Sequence, residues 1–178
     1  MHNAVIAFWF EEISPKSWWA ADPAFDQLIR TRFGALHQHA TAGELCTWRS
    51  TPLGRLAEVI VLDQFSRNMH RGTPLAFAND AMALVLAQEA VAAAADQALT
   101  PTQRSFLYLP FMHSESKLIH QSAEALYRAL GQDNNLQFEL RHKAIVDRFG
   151  RYPHRNAVLG RASSVEEIEF LKQPGSSF

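Results

Sequence analysis

The 178-residue sequence predicts an all-α fold, a single compact domain of antiparallel helix hairpins. Three observations predict it. A capping residue followed by proline recurs at Asp22-Pro23, Thr51-Pro52, Thr73-Pro74 and Thr100-Pro101. The capping oxygen satisfies a backbone N–H that a helix start leaves unpaired, and proline gives up only an N–H with no partner there. Apolar residues then follow at three- and four-residue steps. Finally, no stretch alternates apolar and polar with β-branched enrichment, so no strand is assigned.

Taken in order, the first helix covers 3–11 and carries "FWF". Helices over 23–41, 52–70, 74–96 and 101–109 each open on one of the four capped prolines. A helix over 115–130 follows, with Ser114 as its N-cap, and another over 135–149. The last covers 164–173, where "SSVEE" holds two overlapping capping boxes, Ser163 to Glu166 and Ser164 to Glu167. Gly43, Gly72, Gly131 and Gly150 each follow a periodic run and supply the left-handed residue that ends a helix. Short connections favour antiparallel neighbours, and the paired lengths suit a helical-repeat solenoid. No Gly/Pro/Ser-rich linker divides 1–173, and "PGSSF" at 174–178 reads as a frayed tail.

Composition narrows the function. Apolar residues make up 47% and charged residues 20%, so the chain folds a core rather than remaining disordered. A formal net charge of −1 argues against a nucleic-acid coat. The opening residues lack a basic n-region, and the apolar run near 81–95 is interrupted by Gln88 and Glu89. Neither a secretory signal nor a membrane span is expected. Cys46, the only cysteine, is expected to be a half-buried hydrophobe in a reducing cytoplasm. No HExxH or Cys/His spacing is present, and His37 and His39 fall on nearly opposite helix faces, so no metal is expected. P-loop, dinucleotide and nucleophile-elbow patterns are absent, and no cofactor is expected.

Three stretches place polar groups among apolar ones. In "VLDQFSRNMHRG" (61–72), Asp63 and Arg67 continue the stripe of Leu56, Val59 and Ile60, so that Arg67 at i+4 partners Asp63 and Arg71 caps the helix end. The alternative is an acid with anion-binding arginines, assisted by Asn68. In "YLPFMHSES" (108–116), Pro110 breaks or kinks the helix and aims His113 and Glu115 inward. In "RFGRYPHRN" (148–156), Gly150 ends the helix that carries His142, and a loop presents His154, Arg155 and Asn156. Arg148, Arg151, Arg155 and Arg161 have no acid in their own segment. Either they stitch helices by pairing with Asp63, Glu58 or Glu115, or they form an anion pocket suited to the planar guanidinium fork. Trp9, Trp18, Trp19 and Trp48 with Phe8 and Phe10 concentrate aromatic mass in the N-terminal third and read as core.

With these residues in view, the chain resembles the bacterial domain-of-unknown-function family 924. The resemblance rests on "FWF", "LGRLAEVIVLDQFSRNMHRGTPLAFANDAMAL", "FLYLPFMHSES" and "DRFGRYPHRNAVLGRASSVEEIEFL". It implies a TPR-like α-α superhelix or bundle without an established activity. Its characteristic polar set maps onto Asp63, Gln64, Arg67, Asn68, Arg71, Gly72, His113, Ser114, Glu115, His142, Arg148, Gly150, Arg151, Pro153, His154, Arg155, Asn156 and Arg161. Ser66 stands where the family typically has proline, and Ser116 and Lys117 where an acid and an apolar residue are common.

Two functions follow as expectations. The first binds a small anionic molecule or a partner peptide's carboxylate through Arg67, Asn68, Arg71, His142, Arg151, Arg155 and Asn156. The second is a hydrolase or lyase using His113 or His154 with Asp63 or Glu115 as acid/base, the histidine serving as general base oriented by the carboxylate. No nucleic-acid or membrane partner is expected.

Overall fold

Helix starts fall where capping chemistry puts them. In the computed structural model, which describes residues 1–177, the Asp22 carboxylate accepts from the backbone N–H groups of Ala24 and Phe25. The Thr51 hydroxyl accepts from Gly54, and Thr100 and Gln103 exchange reciprocal bonds as a capping box. The described residues are helical and connecting segments with no strand among them, so the fold is all-α.

The α-helices are α1 (His2–Ala7), α2 (Pro23–Thr41), α3 (Pro52–Ile60), α4 (Ser66–Met69), α5 (Asp80–Ala92), α6 (Pro101–Met112), α7 (Lys117–Leu130), α8 (Asp133–Phe149) and α9 (Val165–Leu171). Two π-helical segments, Phe8–Glu12 and Val61–Phe65, continue α1 and join α3 to α4. The run expected over 52–70 is therefore one helical course widened in its middle. The chain divides into two compact units, residues 1–71 with 75–110, and residues 72–74 with 111–178.

In the first unit α3 packs against α1 and α5, and α2 against α4. Leu56, Ile60, Val61 and Leu62 are fully buried, each contributing roughly 1.5–3 kcal/mol of apolar transfer. Phe8, Phe33 and Phe65 form a ring cluster with centroids 4.9–6.1 Å apart. Trp9 joins it and is fully buried, whereas Trp19 is exposed and stacks flat on Phe106. Gly54 permits the entry to α3: a Cβ there would stand 2.0 Å from the Trp48 carbonyl oxygen.

In the second unit α7 and α8 form an antiparallel hairpin, and α9 packs on the 3₁₀ turn Pro153–Arg155. Its core holds Ile145, Val146 and Tyr152, with Phe149 and Phe170 against them. Gly131 and Gly150, at φ 72° and 69°, end α7 and α8 as the sequence predicts.

The departures have tertiary causes. The helix expected over 74–96 is confined to Asp80–Ala92, preceded by a single 3₁₀ turn at Pro74–Ala76. Asp80 is held by Arg67, and the Asn79 side chain reaches Thr41 and Ser66. Two residues past its end, Ala94 takes a left-handed φ of 53° without a glycine. α6 runs three residues further than expected, past Pro110 to Met112, with Leu109 and Phe111 both buried. Ser116, not Ser114, stands at the N-cap of α7. Of the two capping boxes, Ser164–Glu167 forms, while the Ser163 hydroxyl accepts from Asn156. Cys46 is exposed. In the tail, the Ser176 hydroxyl donates to the Leu171 carbonyl; Phe178 lies outside the described residues.

Candidate functional site

The first unit holds the "VLDQFSRN" candidates. Asp63 and Gln64 sit on the π segment, and such widenings turn side chains that a regular helix would align elsewhere. Asp63 is buried and lies 3.0 Å from Arg67, the expected i+4 pair. Arg67 also grips Asp80 through both terminal nitrogens at 2.9 and 3.0 Å. Arg71 does not cap the helix. It makes a forked bond to Asp26 at 2.7 and 2.9 Å, and Asn68 adds a third bond to the same carboxylate. Burial opposes charge on Asp26, but these partners outweigh it and hold the carboxyl below its ordinary range. The Met69 carbonyl is taken by Arg30 instead. Each of these long-range partners lies outside the motif, so local spacing does not reveal it.

The second unit gathers the remaining candidates around Tyr152, whose side chain is fully buried. The Arg155 guanidinium lies over the Tyr152 ring at 4.6 Å. The rings of His154, His142 and His120 have centroids 5.6, 5.8 and 6.3 Å from it. His113 is near enough to His142 and His154 for its charge to act on both. The loop is braced by Arg161, whose two terminal nitrogens bind Glu115 at 2.6 and 2.9 Å and whose Nε donates to Asn156 at 3.0 Å. The backbone N–H of Tyr152 also donates to Glu115.

These contacts set the charge states. Burial pushes His142 down to about 3 against a raising bond to the Phe138 carbonyl, with His113, His120 and Arg155 adding repulsion. Burial and then Arg155 push His154 down to about 4. Both are neutral at pH 7. Because the carbonyl of Phe138 only accepts, His142 Nδ1 carries its hydrogen. Burial works against charge on Glu115, but Arg161 and the Tyr152 N–H prevail and keep it ionised.

The other arginines of "RFGRYPHRN" find acids in the segment that follows. Arg148 pairs with Glu166 in solvent, and Arg151 makes a forked pair with the buried Glu167 at 2.6 and 2.8 Å. Of the three partners the sequence nominates, Glu115 pairs as expected, with Arg161. Glu58 is bound by Arg49, and Asp63 by Arg67. His120, Glu139 and Tyr152 belong to this neighbourhood and are missing from the sequence-derived set. Their signal is periodicity: His120 precedes Ala123 and Tyr127, and Glu139 precedes His142 and Val146, by three and seven residues on buried stripes.

Among the described residues, no group of three or more His, Cys, Asp or Glu side chains is arranged to hold a metal ion. Residues 5–175 match a family described as bacterial protein of unknown function, DUF924. A solved structure, that of the protein of unknown function ATU0120 from Agrobacterium tumefaciens, is 37% identical, with a TM-score of 0.91 over 96% of each chain. No curated protein matches. With a family match over nearly its whole length and a relative of the same fold, the chain belongs to the DUF924 family of bacterial proteins.

Proposed function

We propose that the Tyr152 cluster binds a small anion, a phosphate or the carboxylate of a small acid or peptide. One observation carries this reading: the Arg155 guanidinium and the rings of His142 and His154 surround one buried phenol ring. The carboxylate beside them, Glu115, is already held by the Arg161 fork. Arg155 places a planar, permanently charged guanidinium, the group suited to an oxyanion, over that ring at 4.6 Å. His142 spends its one neutral N–H on Phe138, so it donates to a ligand only when protonated at Nε2.

The same geometry weighs against the acid–base reading. Glu115 is bound by Arg161 and the Tyr152 N–H, and Asp63 is paired with Arg67, so both carboxylates are committed to partners other than a histidine base. A TPR-like, cytoplasmic binding module without membrane or nucleic-acid partners is part of this proposal.

The test is thermal unfolding of the wild type and Arg155→Gln with phosphate, sulfate and succinate at constant ionic strength. A ligand at 100 times its Kd stabilises by about 2.7 kcal/mol, roughly 5–11 °C for a chain of this size. The wild type is expected to rise and the variant to stay level. Equal responses would remove the proposal.

A further inference from the structure

Glu139 on α8 and His120 on α7 face each other with no exposed surface on either side chain. Glu139 Oε1 lies 2.8 Å from His120 Nδ1. The other ring nitrogen, Nε2, lies 2.9 Å from the Ser114 carbonyl oxygen and 3.1 Å from the Tyr152 hydroxyl. A carbonyl only accepts, so Nε2 carries a hydrogen. The Tyr152 hydroxyl donates its own hydrogen to the Met112 carbonyl and therefore accepts from His120. Every proton in the network is then placed except one, the hydrogen between Oε1 and Nδ1.

That hydrogen has two possible homes. On Nδ1 it makes a carboxylate beside an imidazolium, and on Oε1 a carboxylic acid beside a neutral ring. Both arrangements have zero net charge, so the surroundings choose. Glu139 Oε2 is buried, and among the described residues no donor reaches it. A buried ion pair repays its desolvation only when the remaining lone pairs are also satisfied. A neutral acid makes no such demand.

We infer that Glu139 is a carboxylic acid at neutral pH, donating from Oε1 to a neutral, Nε2-protonated His120, and that this one hydrogen latches the Met112 and Ser114 carbonyls and Tyr152 to the α7–α8 hairpin. The charged groups nearby agree with it. Burial is the largest influence and raises the carboxyl of Glu139. Glu124 on α7 raises it further, while Lys143 on α8, already bound to Asp147, and His120 act the other way. His142 is neutral, and the Met112–Ser114 segment presents carbonyls.

Removing the proton would set a carboxylate against the bare lone pair of Nδ1, two acceptors face to face. The latch is therefore sensitive to alkali. A carboxyl raised in the folded state contributes stability that is complete below the ordinary carboxyl value and lost as pH rises through the raised one. The inference is independent of whether the Tyr152 cluster binds an anion.

The test is NMR of protein carrying ¹³C-labelled glutamate and ¹⁵N-labelled histidine. One glutamate carboxyl resonance, absent from Glu139→Gln, is expected at the protonated position at pH 7. His120 is expected to show one protonated nitrogen and one bare one. A carboxylate resonance with both His120 nitrogens protonated would overturn the inference. Assignment through the side-chain carbons of the wild type gives the same reading if the variant does not fold. In urea unfolding, the wild-type midpoint should fall between the ordinary carboxyl range and the raised value, and Glu139→Gln should lose that slope. The Gln amide can still donate to Nδ1, so an unchanged slope in the folded variant would also count against the latch.

Discussion

Arg148 and Arg151 lie three residues apart, and each pairs with one of two adjacent glutamates through two nitrogens, yet they should differ sharply in worth. Arg151 is 31% exposed and its partner Glu167 only 3%. Arg148 and Glu166 are 49% and 63% exposed. Arg151→Ala strands a buried carboxylate, at a cost of about 3–5 kcal/mol where nothing else supports the charge. Glu167 keeps a bond from the Ser164 N–H, which lowers the expected loss to about 2–3 kcal/mol. Arg148→Ala breaks a solvated pair worth about 0–1 kcal/mol. Thermal unfolding at neutral pH should therefore place Arg151→Ala roughly 4–12 °C below the wild type and Arg148→Ala within about 4 °C of it. The pH dependence sharpens the comparison. Arg151 is the main cause that holds Glu167 down at about 2, with the Ser164 N–H assisting against burial. A depressed carboxyl contributes stability above its unfolded value and loses it as pH falls through the folded one. The wild type should lose this contribution between the ordinary glutamate range and about pH 2, and Arg151→Ala should lose most of that dependence. Equal losses from the two substitutions would show that burial does not decide the worth of these pairs.

Three further outcomes are expected. Gly54→Ala drives a methyl group into the Trp48 carbonyl, a backbone atom that cannot swing aside; denaturant unfolding should show a loss of about 2–4 kcal/mol, and a neutral result would mean that the α3 entry relaxes freely. Ala94→Gly relieves a left-handed alanine and should stabilise by about 0.5–1 kcal/mol in the same assay, whereas a loss would show that the glycine's chain entropy outweighs the strain. His142, pushed down to about 3 by burial above all, makes the folded state resist a proton that the unfolded chain accepts near its ordinary value. At pH 5 this costs about 2 kcal/mol. His142→Gln should flatten the loss of stability between pH 6.5 and 4, and an unchanged acid limb would refute the assignment.

Much of the fold was written in short-range chemistry. Asp22, Thr51 and Thr100 cap the helices that follow them, and Gly131 and Gly150 end theirs, because capping and left-handed turns are settled within four residues of chain. The 3.6-residue period placed Asp63 and Arg67 on the buried stripe and separated buried His37 from exposed His39. What sequence spacing left undecided was the identity of partners. Arg71 finds Asp26 across 45 residues, Arg161 finds Glu115 across 46, and Arg49 rather than a C-terminal arginine claims Glu58. A guanidinium accepts any carboxylate that packing delivers, so charge and spacing name the type of partner and only tertiary contact chooses among them. Likewise, periodicity puts Glu139 and His120 on buried stripes, but only the closing of α7 on α8 makes them partners. Loss of water at that contact is the physical reason for the inferred neutral acid and neutral imidazole sharing one hydrogen.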